Sequence, residues 1–350
     1  YRNEETSNAP MTVDNLSIIN RIQQRALHRR EPHNNTGDML APHSSEQSRI
    51  RSRTLNGHLG LIHAIIPATV DIHVSIPEDH PSTKNLGSER TGSGTIVDPE
   101  GYILTVNYVV TGASSIAVTV AEGEEYPGEI VTQDLDSGLA LLKIPARGLP
   151  FLKASTEPAV LGQASLIVAS SGNNERKVSG GYVTSLEPYD GHWEYMLDQT
   201  VRVTAVNPGF GGGTLTNFKG EMLGVVSLNL ADVGKFSLAI PISYYLDQEQ
   251  AFKQRSLVSQ KPWLGFYPHL LAGHVVVGGV TEGSPADRHG LKEGDIILDV
   301  ESTQIRSRRQ LYQELWKKRP GEPICLRVLR NETSIELNLI GADRRTRYGS

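Results

Sequence analysis

The chain has 350 residues, enough for about two or three domains. Its 34 Gly and 19 Pro favour a turn-rich, strand-rich chain over a helical bundle, and 38% apolar residues exclude bulk disorder. A net charge of −5 gives no footing for nucleic acid or an anionic membrane, and one cysteine, Cys325, excludes an intrachain disulfide, CxxC zinc and c-type haem.

Residues 1–60 read as a polar arm and linker with one helical stretch, Val13–Arg30. There Leu16, Ile19 and Ile22 recur at helical spacing and give a narrow apolar stripe. Arg21 and Arg25 lie on the opposite face, and seven Arg against three acidic residues stand between Arg21 and Arg53. That face is either a solvated basic surface or a docking arm for an acidic partner. The chain opens at Tyr1, so removal of an N-terminal segment is expected.

Residues 61–250 show short apolar runs punctuated by Gly, Pro and Asp. Strands are predicted at Val70–Ser75, Gly94–Val97, Tyr102–Val106, Ser115–Val120, Leu139–Ile144, Ala164–Ala169, Gly181–Leu186 and Met222–Leu228. Strands at this density suggest a β-barrel or sandwich, two of them over this length. The longest apolar runs, such as Leu61–Val70, fall short of the ~20 residues that span a bilayer. Residues 256–343 change character. Strands are predicted at Val275–Val280, Asp295–Val300, Pro323–Arg330 and Thr333–Ile340, with a helix at Arg308–Lys318 and a short one after Gly283-Ser284-Pro285. This is a small α+β domain. Cys325 sits in strand-like alternation and reads as a packed or half-buried thiol.

The motifs carry a family resemblance. Thr91-Gly92-Ser93-Gly94-Thr95-Ile96-Val97 through Gly101-Tyr102-Ile103-Leu104-Thr105 resembles the start of the peptidase domain of HtrA/DegP-type serine proteases. Leu139-Ala140-Leu141-Leu142, Asn207-Pro208-Gly209 and Phe236-Ser237-Leu238-Ala239-Ile240-Pro241 resemble three later stretches of that domain, in order. The tail looks like a PDZ domain: Trp263, Leu264, Gly265 and Phe266 resemble its carboxylate-binding loop, and Gly283–Asp295 is similar to the HtrA-type PDZ pattern. The resemblance covers roughly 65–341. It implies a mainly β chain, a chymotrypsin-like double β-barrel followed by PDZ.

The resemblance also implies a Ser-His-Asp triad, and all three positions are replaced. Tyr108 stands where the family has His, in Asn107-Tyr108-Val109-Val110. Gly138 stands where Asp precedes Leu139, and Gly211 stands where Ser would follow Asn207-Pro208-Gly209-Phe210. Glycine offers no nucleophile or carboxylate, and a phenol of pKa ~10 is a poor base near neutrality. A vestigial oxyanion hole from the Gly209 and Gly211 amides is expected. The run Gly211-Gly212-Gly213 should loosen the loop, with Phe210 as a candidate to fill the cleft. No His lies between 81 and 191; His73 and His192 reach the cleft only if the fold brings them there. Asp134 and Asp136 are the nearest substitute carboxylates, and Ser170-Ser171 reads as loop. No His spacing fits a metal site, and no cofactor is expected.

The reading is a non-catalytic HtrA-like pseudoprotease in an extracytoplasmic compartment such as the bacterial periplasm. It would act as a scaffold or assembly subunit of a larger complex. Other protein subunits, or a second copy, would engage the N-terminal arm and the PDZ loop, since PDZ loops capture C-terminal carboxylates with backbone amides. A soluble peptide-binding chaperone or sensor is one alternative, and a protease with an unrecognised active site is another.

Overall fold

A computed structural model describes residues 60–230, 236–257 and 259–345. The arm helix predicted at Val13–Arg30, with Leu16, Ile19, Ile22, Arg21 and Arg25, lies outside the described residues.

The first half of residues 61–250 is an antiparallel sheet. Its strands are β1 (Thr69–Ser75), β2 (Glu89–Ile96), β3 (Tyr102–Val106), β4 (Ser115–Thr119), β5 (Glu125–Pro127), β6 (Glu129–Gln133) and β7 (Leu139–Lys143). They pair in the order β5-β4-β1-β2-β3-β7-β6. Leu139 to Leu142 are all fully buried. A continuous apolar run rather than an alternating one is what a strand covered on both faces requires. It pairs β3 from Tyr102 opposite Lys143 to Val106 opposite Leu139. Helix α1 (Asn107–Val110) follows β3 directly.

The second half adds β8 (Ala164–Gly172), β9 (Glu175–Ser185), β12 (Val201–Val203), β13 (Thr214–Asn217), β14 (Met222–Leu230) and β15 (Phe236–Pro241), which close as a barrel. Between β9 and β12 a separate two-stranded hairpin stands off the barrel, β10 (Tyr189–Gly191) with β11 (Tyr195–Leu197). The halves share one core: Ile72, Ile103 and Leu141 of the first pack in a cluster with Met222, Val225 and Ile240 of the second. Helices α2 (Ser243–Leu246) and α3 (Glu249–Lys253) add Tyr245 and Phe252 to that cluster, their rings 5.4 Å apart and edge to face.

The tail contains β16 (Pro262–Trp263), β17 (Phe266–Leu271), β18 (His274–Val280), α4 (Pro285–Arg288), β19 (Ile296–Val300), β20 (Thr303–Gln304), α5 (Arg308–Leu315), β21 (Pro323–Arg330), β22 (Thr333–Ile340) and β23 (Ala342–Asp343). Its main sheet runs β17-β18-β19-β21-β22, so β17 lies at an edge. The Gly283-Ser284-Pro285 signal starts α4 as predicted. The Ser284 side chain accepts the Asp287 N–H at 3.2 Å, and Pro285 opens the helix, where its missing N–H costs nothing. Ser307 caps α5 in the same way through Gln310 N–H at 3.1 Å.

Several predicted features shift; β2 begins at Glu89 rather than Gly94, and α5 ends at Leu315 rather than Lys318. Ser170-Ser171, expected in a loop, belong to β8, and Ser170 is buried. The β9 strand begins at Glu175, six residues before the predicted Gly181, because its exposed residues carry no alternating apolar signal. Phe252 is fully buried where α3 covers the shared core. Phe252→Ala should therefore lower stability by about 3–5 kcal/mol, a typical cost for an emptied aromatic site. A urea melt unchanged from the parent chain would show that this helix does not seal the core.

Candidate functional site

The fold brings the three triad-matching positions to the seam between the halves. Tyr108 sits on α1 at the end of β3, and Arg90 holds that turn by donating to Tyr108 O at 2.8 Å and Thr111 O at 3.0 Å. Asn107 N–H donates to Gly138 O at 2.8 Å, tying α1 to the loop before β7. The Tyr108 hydroxyl crosses the seam and donates to Ser227 O on β14 at 2.8 Å. Burial pushes its phenol well above the ordinary tyrosine range, so it stays a neutral donor.

Gly211 lies directly beneath that hydroxyl. A Cβ built on Gly211 would overlap Tyr108 Oη. The position that resembles the nucleophile thus has no side chain and no room for one while Tyr108 keeps this place. The loop itself is not loosened by its glycines, contrary to expectation. Buried Ser93 on β2 stitches it. Ser93 N–H donates to Gly211 O at 2.7 Å, and its hydroxyl donates to Phe210 O at 3.0 Å. Phe210 N–H donates to Ser170 O and Gly212 N–H to Val226 O, both at 2.8 Å. The backbones approach so closely that a Cβ on Gly209 would overlap Ser170 O, and one on Gly212 would overlap Ser93 O. The cleft position over Gly211 is filled by Tyr108; the Phe210 ring lies against Gly172 instead. The Gly209 N–H, one candidate oxyanion donor, faces Asn207 Oδ1 at 3.4 Å within the loop.

Gly138 has φ +83°, and its N–H donates to Asp134 O at 2.9 Å. A Cβ there would stand 2.9 Å from the Tyr195 hydroxyl, which donates to Ser137 O at 2.7 Å. Asp134 is buried, and burial pushes its carboxyl up. Asp136 is engaged by Ser259 Oγ at 2.8 Å, Lys261 at 3.6 Å and Arg344 at 3.7 Å. His73 is an exposed residue of β1. His192 stacks on His269 of β17, ring centres 5.3 Å apart. Among the described residues no group of three or more His, Cys, Asp or Glu is placed to hold a metal.

The PDZ-like loop lies between β16 and β17. Trp263 pairs through its backbone with Ala342, and Gly265 has φ +84° with the Trp263 ring packed over it. The loop amides converge on one acceptor, which no motif signalled. Gly265 N–H donates to Glu194 Oε1 at 2.8 Å and Leu264 N–H to Glu194 Oε2 at 3.1 Å, with Phe266 N–H 3.5 Å away. Burial pushes the Glu194 carboxyl up, while Arg344 and the three amides pull it down.

Residues 92–225 match the family model described as the trypsin-like peptidase domain, and residues 262–340 match that of the PDZ domain. The chain joins an HtrA/DegP-like, trypsin-like peptidase domain to one PDZ domain. The probable periplasmic DegP-like serine endoprotease of Hahella chejuensis is 30% identical over 279 residues, covering 73% of this chain and 58% of the relative. The protein of the same description from Halomonas elongata is 29% identical, covering 72% and 56%. This HtrA/DegP-like chain therefore spans less than three-fifths of the length of those two relatives. The solved HtrA-type protease AlgW with decapeptide superposes with a TM-score of 0.53 at 25% identity, covering 82% of this chain and 98% of the other.

The packing at the seam gives a direct test. Gly211→Ala should cost about 1–3 kcal/mol, because the added methyl must expel the Tyr108 hydroxyl and strand the Ser227 carbonyl. Combining it with Tyr108→Phe, which removes the overlapping oxygen, should cost less than the sum of the two single changes. Strict additivity in denaturant melts would mean that the two residues do not share this space.

Proposed function

We propose that this HtrA/DegP-like chain is a pseudoprotease that works by binding, as a scaffold or assembly subunit of a larger protein complex. The observation that carries the reading is Tyr108 over Gly211, where the resemblance calls for His and Ser. Acyl transfer needs a nucleophile, a base within reach of it and a group that orients the base. Here the first is absent, the second is a neutral phenol bonded to a backbone carbonyl, and the third is a glycine beside Tyr195. In an intact triad the loss of Ser or His alone costs on the order of 10⁶ in kcat. What the chain retains is a packed two-part fold and a PDZ domain, a module suited to contact with other proteins.

The DegP-like relatives carry the word periplasmic in their descriptions, which supports an extracytoplasmic setting for this chain. Among the described residues no helix is long and apolar enough to cross a membrane. The N-terminal arm, whose sequence carries Leu16, Ile19, Ile22, Arg21 and Arg25 outside the described residues, is the proposed docking element alongside the PDZ domain.

The test is to expose the full chain to a fluorophosphonate probe and to unfolded casein, and to identify proteins that copurify with it from its native source. The proposal expects no labelling, intact casein and stoichiometric partner subunits. Labelling that disappears on denaturation would show a working serine nucleophile and overturn it.

A further inference from the structure

We propose that the hairpin β10–β11 is an internal ligand of the PDZ domain, with Glu194 standing where the terminal carboxylate of a bound peptide would go, so that a partner with a free C-terminus must displace it. The inference does not rest on the loss of catalysis at the seam.

The hairpin meets every wall of the groove. Its tip carries Glu194 into the Leu264–Phe266 amides, and Glu194 is only 4% exposed. Its backbone sits at φ +56°, in the left-handed region that closes a three-residue hairpin loop. Three further bonds hold the tip in place. Glu194 N–H donates to the Tyr312 hydroxyl at 3.1 Å, that hydroxyl donates to Gly191 O at 2.6 Å, and Arg344 donates to Glu194 O at 2.8 Å. On the β17 wall His192 stacks on His269. On the α5 wall Arg309 pairs with Asp198 and, at 3.5 Å, with Asp190.

One thing a bound peptide would gain is missing. Among the described residues, strand β17 lies at the edge of its sheet, and β10 and β11 pair only with each other. The hairpin therefore fills the carboxylate loop without adding a strand to β17. A C-terminal peptide would make the same carboxylate contacts and also a backbone ladder along that edge. This difference favours exchange. The partner chemistry that fits is an extended segment ending in a free carboxylate, with an apolar last residue against Leu264 and Phe266.

The experiment uses the full chain and a synthetic peptide ending in Leu-Val, with either a free or an amidated C-terminus, measured by calorimetry. All three tryptophans, at 193, 263 and 316, lie at this junction, so intrinsic fluorescence follows the hairpin in the same samples. The free-acid peptide should bind the parent chain weakly and shift the fluorescence. Glu194→Gly, which suits the left-handed backbone, should tighten binding by about tenfold or more by unmasking the competent state. The amide should bind neither form well. Should that variant fold poorly, Tyr312→Phe loosens the hairpin without touching the loop and should tighten binding severalfold. Equal affinity in parent and folded variants, or no binding by any of them, would overturn the proposal.

Discussion

The buried Glu194 carboxylate ties the peptidase half of this chain to its PDZ half. Taking one carboxylate out of water costs several kcal/mol. Amide bonds to a charged acceptor offset about 1.5–3 kcal/mol each, and Arg344 adds a nearby positive charge. Burial outweighs these gains and holds the carboxyl above its usual range, which suits a contact that holds at rest and yields to a better ligand. Opposite charges gather around it. Asp136, Asp190 and Asp198 of the peptidase half face Lys261, Arg308, Arg309 and Arg344 of the tail. Most of these pairs are half-exposed, so they guide the docking more than they stabilise it.

The seam obeys a different constraint, that of backbone approach. Gly209 and Gly212 are present because carbonyls of Ser170 and Ser93 occupy the space a Cβ would need. Gly211 is of another kind, since its missing side chain is matched by one added across the seam, Tyr108. The hydroxyl of Tyr108 donates to a carbonyl on β14 across the seam, so both of these polar groups are paired there. The result is a filled seam rather than an empty one. Tyr195 does the same at Gly138, which links that position to the hairpin carrying Glu194.

Much of this was legible in the sequence, for local reasons. Strands Pro323–Arg330 and Thr333–Ile340 were read to the residue, since they alternate and flank a tight turn at Asn331 and Glu332, both with positive φ. The three positions proposed to match a triad rest on short motifs on either side, which fix their register. What fills those positions was not. The contact of Tyr108 with Ser227 joins residues 119 apart, and that of Glu194 with Gly265 joins residues 71 apart. No window of sequence holds both partners. The hairpin was missed for a second reason: β10 and β11 have three residues each, too few for a period to appear. The run of glycines after Phe210 misled in the opposite direction, because glycine permits close packing as readily as looseness.

Amide hydrogen exchange at Leu264 and Gly265 in the peptide-free chain reports whether Glu194 occupies the PDZ loop. Both amides should be protected in the parent chain and lose that protection in Glu194→Gly, while Val275 and Val277 of the neighbouring strand stay as slow as before. Rapid exchange at Leu264 and Gly265 in the parent chain, or protection that survives loss of the Glu194 side chain, would mean that the hairpin does not occupy the PDZ loop.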